Sequence, residues 1–124
     1  MSNENKSEIR FEIALNDEKV PDGIKWMATD SQNTELRQAE SMMIYLWDPK
    51  EKNTLSINLW TPAMQVDEMH THFFQSLMTM ADTFQKATGN TFAVNEMREF
   101  CESFDKKVKE ANAAAEAAQE APGK

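Results

Sequence analysis

Apolar and polar residues alternate through the first half of the chain, which is the pattern of β-strands with one buried face. The alternation is strictest after residue 7, where one face carries Ile9, Phe11, Ile13 and Leu15. Turn-forming and charged residues interrupt the pattern at 16–23 and 48–53. It therefore predicts four strands, the first beginning near residue 7 and the others at 24–28, 42–47 and 54–61.

The third and fourth strands are expected to form a hairpin whose register follows from its two faces, since a shift of one residue exchanges them. Pairing Leu46 with Leu55 leaves one face wholly apolar. We call it the aliphatic face: Met42, Ile44, Leu46, Leu55, Ile57 and Leu59. We expect it to be buried in the core, with Trp47 opposite Thr54 on the other side.

The second half of the chain has the spacing of two amphipathic helices. The first begins near 62–67 and ends at Gly89, with a stripe that we expect to be buried: Met69, Phe73, Leu77, Met80, Ala81, Phe84 and Ala87. The second begins about Thr91 and has a stripe at Met97, Phe100, Cys101, Phe104, Val108 and Ala111. Alanine dominates the end of the chain without larger apolar residues, so we expect 111–124 to be a frayed or disordered tail.

Strands followed by helices indicate the α+β class. The prediction is a four-stranded antiparallel sheet followed by two long helices packed on one face, within a single domain at 7–110. Residues 1–6 are predicted to be disordered. For 29–40, a loop and a short turn of helix beginning at Thr34 both fit the sequence.

Composition restricts the classes of binding partner. Of 124 residues, 13 are Lys or Arg and 21 are Asp or Glu, giving a formal net charge of −8. Such a chain repels phosphate backbones, so we expect no nucleic-acid partner. Neither a signal peptide nor a transmembrane segment is evident in the sequence, which predicts a cytoplasmic protein.

Residues with catalytic or metal-binding potential are few. His70 and His72 lie two positions apart in a predicted helix, where the side chains diverge, so we expect no shared metal. Cys101 is the only cysteine and is expected to be a buried thiol. With no nucleophile motif and three glycines in the chain, the sequence predicts no catalytic site, no cofactor and no enzyme activity.

The second face of the hairpin is a stronger candidate site. Tyr and Trp are frequent interface anchors because they bury a large area and keep a polar group. We call it the aromatic face: Met43, Tyr45, Trp47 and Trp60. Two interpretations stay open, since it could bind a partner or be covered by 29–40 or by the second helix.

Several segments resemble the GldC family: WDPKEKNTLSINLWT at 47–61, MQVDEM at 64–69, MADTF at 80–84, SEIRFEI at 7–13, IKW at 24–26, ATG at 87–89 and MREFC at 97–101. The similarity covers roughly 7–108. It implies a gliding motility-associated protein of Bacteroidetes bacteria whose partners are protein components of the gliding or secretion machinery. The family carries no catalytic motif that can be transferred to this chain.

The main prediction is accordingly a non-enzymatic accessory protein of the gliding machinery that binds a partner or forms a homo-oligomer through its sheet. An alternative comes from fold analogy, because four strands followed by two helices are similar to the layout of the export chaperone SecB. The chain would then be a SecB-like cytoplasmic chaperone or an export-targeting adaptor.

Overall fold

The computed structural model describes residues 6–30 and 35–120, with the side chains of 119 and 120 excepted. Its elements are β1 (Ile9–Leu15), β2 (Pro21–Ala28), β3 (Arg37–Ala39), β4 (Ser41–Asp48), β5 (Asn53–Trp60), α1 (Val66–Thr88) and α2 (Thr91–Glu120). They form two compact units, residues 1–64 and 65–124. The fold class is α+β, as predicted.

The strands form two antiparallel sheets among the described residues, in the orders β1-β2-β3 and β4-β5. The prediction of one four-stranded sheet is therefore wrong. Three residues of the segment predicted as loop or helix form β3, and Ala39 pairs with Ile24 of β2. One residue later the chain changes its partner, because the amide of Thr61 donates to the carbonyl of Glu40 at 2.9 Å and the β4–β5 ladder begins.

The turn between β1 and β2 is organised by Asn16. Its side-chain oxygen accepts hydrogen bonds from the amides of Glu18 and Val20 at 2.8 and 3.0 Å. Lys19 takes a left-handed conformation with φ of 66°, and β2 starts at Pro21 rather than at the predicted Ile24. The turn is therefore shorter than predicted, because side-chain hydrogen bonds complete it within a few residues.

Burial in the strands is confined to a small number of side chains. Ile24 is completely buried and Met42 nearly so. The predicted inner face of β1 is mostly exposed, since Ile9, Phe11 and Leu15 are accessible and only Ile13 is half-buried. The alternation predicted the strand correctly but predicted its burial wrongly.

The helices form an antiparallel hairpin, and both ends of α1 and the start of α2 agree with the prediction. The amide of Gln65 donates to the side chain of Glu68 at 3.0 Å at the start of α1. Gly89 ends it in a left-handed conformation, with its amide on the carbonyl of Gln85 at 2.8 Å. Asn90 then starts α2 by accepting the amide of Ala93 at 3.1 Å. These are ordinary helix-terminus interactions that satisfy unpaired backbone groups.

Side chains at both ends of the hairpin join the helices. Arg98 forms an ion pair with Asp82 at 3.0 Å near the loop. At the far end His70 Nδ1 hydrogen-bonds with Asn112 Oδ1 at 2.8 Å. Within the hairpin Ala81, Val94 and Cys101 are buried. Phe73 and Phe100 are exposed, at 41% and 55%, so the predicted burial of Phe73 is wrong.

The alanine-rich segment is helical for most of its length, because α2 extends to Glu120. Fraying or disorder of this segment stays a prediction, as do the domain bounds and the packing of the helices on one face of the sheet. Residues 1–5, 31–34 and 121–124 lie outside the described residues, so the structure does not address the predictions for the two ends or for the start of a helical turn at Thr34.

Candidate functional site

The β4–β5 hairpin has the register that the sequence predicts. Leu46 pairs with Leu55, Ile44 with Ile57 and Met42 with Leu59. The turn is held by Asp48, whose carboxylate accepts the amides of Lys50 and Glu51 at 2.9 and 3.3 Å. The amide of Lys52 bonds to the Asp48 carbonyl at 2.8 Å, and Lys52 itself has a positive φ of 57°.

This register places the four residues of the aromatic face on the same side of the sheet. Met43, Tyr45 and Trp47 alternate along β4, and Trp60 enters the same face because it pairs with Ser41. Trp47 lies near the turn and Trp60 at the opposite end of the hairpin. Six residue steps separate these ends, so the face is about 20 Å long.

The aromatic face is open. Tyr45, Trp47 and Trp60 are between 51% and 62% exposed, while Met43 is half-buried. Since an aromatic side chain has an area of about 200 Å², the three rings expose roughly 350 Å². Apolar patches of this size on monomers are often functional. The other interpretation, in which 29–40 or the second helix covers these rings, stays a prediction.

Hydrogen bonds fix the centre of the face. The hydroxyl of Tyr45 donates to Asn58 Oδ1 at 3.1 Å, diagonally across the two strands. The amide nitrogen of Asn58 donates in turn to Ser56 Oγ at 3.2 Å. Both links are made by neutral groups, so the ring of Tyr45 is held in place without charge. A partner would meet an ordered and uncharged surface.

The aliphatic face is much less buried than its composition indicates. Met42 is buried and Ile44 and Leu59 are half-buried, all near the base of the hairpin. Leu46, Leu55 and Ile57 are between 48% and 56% exposed. The expectation of a buried core face is therefore wrong for three of its six residues, and the hairpin presents apolar side chains on both sides.

The candidate metal-binding and nucleophilic residues have other surroundings. His70 bonds to Asn112, while His72 Nε2 is buried without a hydrogen-bond partner and its ring meets Phe73 edge-on at 6.4 Å. No three His, Cys, Asp or Glu side chains converge on a metal-binding position within 6–30 and 35–120. Cys101 is buried, and burial raises the pKa of its thiol even though nearby Arg98 acts in the opposite direction.

The length and hydropathy of the two helices decide whether either of them could cross a membrane. Neither α1 nor α2, over the part of the chain that the structure describes, combines the length and apolar character needed to cross a membrane. In the described part of the strand unit, the hairpin exposes large apolar side chains on both of its faces. Sequence reasoning located its aromatic face by residue number. What it missed was the exposure of the opposite face.

Comparison with known proteins gives one result. The sequence model of a family described as "Gliding motility-associated protein GldC-like" matches residues 21–110. This match includes the whole β4–β5 hairpin, both helix starts and the buried Cys101. No curated protein and no solved structure matches the chain.

Proposed function

The chain belongs to the GldC-like family of gliding motility-associated proteins, and we propose that it is a non-enzymatic interaction protein of the gliding machinery that binds a protein partner through its aromatic face. Exposed rings on a hydrogen-bonded strand pair carry this proposal. A cytoplasmic location and an origin in Bacteroidetes bacteria belong to the same proposal.

Trp47 is the expected anchor of the interface. It is the most exposed ring of the aromatic face and lies beside Thr54, a small neighbour that leaves its indole accessible. Trp and Tyr dominate the energetically important positions of protein interfaces, where a single ring contributes 2 kcal/mol or more. Because the strands hold the backbone of these residues and an aromatic side chain has only two rotatable bonds, little conformational entropy is lost on binding.

The exposed area of the aromatic face is smaller than a complete protein interface. A stable interface buries about 800 Å² on each partner, more than twice the exposed area of the three rings. The aromatic face therefore acts as the centre of a larger interface. The complementary partner surface is an apolar pocket with carbonyl groups that accept the indole N–H.

Replacing the anchor tests the proposal. Trp47→Ser is expected to reduce co-purification with gliding-machinery components from the native cell by about 30-fold, the equivalent of 2 kcal/mol. Phe92→Ser is the matched control, since Phe92 is a highly exposed ring on α2. Both variants should melt as the parent does. Unchanged co-purification of Trp47→Ser, or an equal loss in both variants, would contradict the proposal.

The SecB-like chaperone remains a prediction from fold analogy, and the family match does not favour it. A chaperone and an interaction protein differ in how selectively they bind other proteins. A chaperone suppresses the aggregation of unfolded proteins with unrelated sequences, whereas an interaction protein binds a defined folded component. Suppression of citrate synthase aggregation, with the chain and citrate synthase at equal concentrations, would favour the chaperone function.

A further inference from the structure

Strand β5 has an open edge. Its only hydrogen-bonded strand neighbour within 6–30 and 35–120 is β4, although β5 also comes close to β2. The hydrogen bond from Thr61 to Glu40 continues the β4–β5 ladder and fixes its alternation. Odd-numbered residues of β5 thus direct their backbone groups to β4. The backbone N–H and C=O groups of Thr54, Ser56 and Asn58 point away from it.

This edge lacks the features by which proteins prevent strand pairing. Charged side chains, proline, bulges and short strands normally protect an exposed edge. Strand β5 has eight residues and contains neither a charged residue nor proline. By contrast, the edge strand β1 carries Arg10 and Glu12. Seven residues of β5 are exposed, compared with three of β4, so β5 is the more accessible side of the hairpin.

We propose that the open edge of β5 pairs with β5 of a second copy of this chain, antiparallel and across a two-fold axis. An axis at Ser56, near the centre of the strand, sets Thr54 opposite Asn58 of the second copy and pairs the outward-facing backbone groups. Leu55 then lies opposite Ile57 of the second copy. The resulting sheet has the order β4-β5-β5-β4 and joins the two aliphatic faces.

A second copy fits this edge better than an unrelated strand for two reasons. The strand is self-complementary, because small neutral residues face each other on one side of the sheet and aliphatic residues on the other. A net charge of −8 opposes the association of two copies, and an uncharged strand is where that repulsion is weakest. Two-fold pairing also uses the β5 edge of both copies, so pairing through β5 stops at a dimer.

The contact is small. Leu46, Leu55 and Ile57 are already about half covered, and a strand edge buries less than the roughly 800 Å² per partner of a standard interface. We therefore expect a dissociation constant on the order of 1–100 μM, in the range of transient complexes. The dimer uses a surface distinct from the aromatic face and does not depend on the proposed function.

Sedimentation equilibrium of the purified full chain between 5 and 500 μM tests the proposal. The parent should change from monomer to dimer over this range. Ser56→Lys places two like charges across the axis and should weaken dimerisation at least tenfold. Ser103→Lys makes the same change at an exposed position of α2 and should dimerise as the parent does. A parent that is monomeric at 500 μM, or equal dimerisation of all three chains, would overturn the proposal.

A cysteine crosslink tests the register. Paired residues of an antiparallel ladder have Cα atoms about 5.5 Å apart, within the range of a disulfide. Ser56→Cys should form a disulfide-linked dimer under mild oxidation, while Lys50→Cys in the turn should not. Faster crosslinking of Lys50→Cys would refute the axis at Ser56. Trp47→Ser should keep the dimer, which separates a failure of this proposal from a failure of partner binding.

Discussion

Cys101 shows how burial alone decides the chemistry of a single residue. The thiol is fully enclosed, and desolvation raises its pKa above the ordinary value of 9.0, with Arg98 only reducing the effect. A thiolate is the reactive form of cysteine, so a raised pKa makes this thiol less reactive at neutral pH. The residue contributes to the packing of the helical hairpin rather than to a reaction.

The raised pKa predicts a dependence of stability on pH. The folded chain holds the Cys101 proton more tightly than the unfolded chain, so the contribution is complete below pH 9 and is lost as pH rises toward the folded pKa. Urea unfolding from pH 7 to 11 should show the parent losing stability relative to Cys101→Ala above pH 9. A constant difference between the two proteins across this range would contradict the shift.

Substitution of Asp48 tests how a single residue stabilises the turn between β4 and β5. Its carboxylate accepts two turn amides, Lys50 and Glu51. Asp48→Ala leaves both without this acceptor and should reduce the free energy of unfolding by about 1–2 kcal/mol in urea titrations. Asp48→Asn keeps an acceptor oxygen and should lose less than half as much. Equal losses would show that charge, rather than the hydrogen bonds, holds the turn.

At the scale of secondary-structure elements, Gly89 fixes the boundary between the two helices. Its φ of 66° is costly for any residue with a Cβ, and a Cβ there would contact nothing within 4 Å. Gly89→Ala should therefore destabilise the helical hairpin by about 1–2 kcal/mol through backbone strain alone. The measurement is thermal unfolding followed by circular dichroism at 222 nm.

Gly23→Ala is the control for this change. Gly23 lies in β2 without a positive φ, and a Cβ there would meet Ala14 Cβ at 3.4 Å, an ordinary contact distance. The same substitution should be neutral or should stabilise by up to about 1 kcal/mol, because it restricts the unfolded chain. A larger loss at Gly23 than at Gly89 would refute the assignment of the strain to the helix boundary.

The elements also show which properties a sequence pattern determines. The register of the β4–β5 hairpin could be predicted because it depends only on the parity of apolar residues in two neighbouring strands, and the aromatic face followed from the same parity. The ends of α1 could be predicted because Gly89 and the acidic residues Asp67 and Glu68 in its first turn are local signals. These properties depend on residues close together in the chain.

The burial of side chains and the existence of β3 could not be predicted from the pattern of neighbouring residues. Parity shows that Leu46 and Leu55 share a face but does not show what covers that face, and both are exposed. Residues Arg37–Ala39 have no alternation of their own, and their strand exists because β2 offers a partner. By contrast, the absence of charged residues along Asn53–Trp60 was visible in the sequence and could have indicated the open edge.

At the scale of the whole molecule, the two proposed contact surfaces lie on one hairpin. The aromatic face projects from the plane of the β4–β5 sheet, and the edge of β5 lies within that plane. Because the directions differ, a second copy on the edge leaves Trp47 accessible. A dimer would present two aromatic faces on the same side of its sheet, which doubles the number of partner contacts and raises avidity without new residues.

The net charge of the molecule gives a test of how this dimer forms. Two chains of charge −8 repel each other, and the Debye length falls from about 30 Å at 0.01 M salt to about 8 Å at 0.15 M. If uncharged backbone groups and aliphatic side chains hold the dimer, added salt screens the repulsion and leaves the attraction unchanged. The dissociation constant of the parent should therefore fall several-fold between these concentrations in sedimentation equilibrium. Dimerisation that weakens with salt would mean that opposite charges hold the two copies together, and the uncharged edge of β5 would then be the wrong surface.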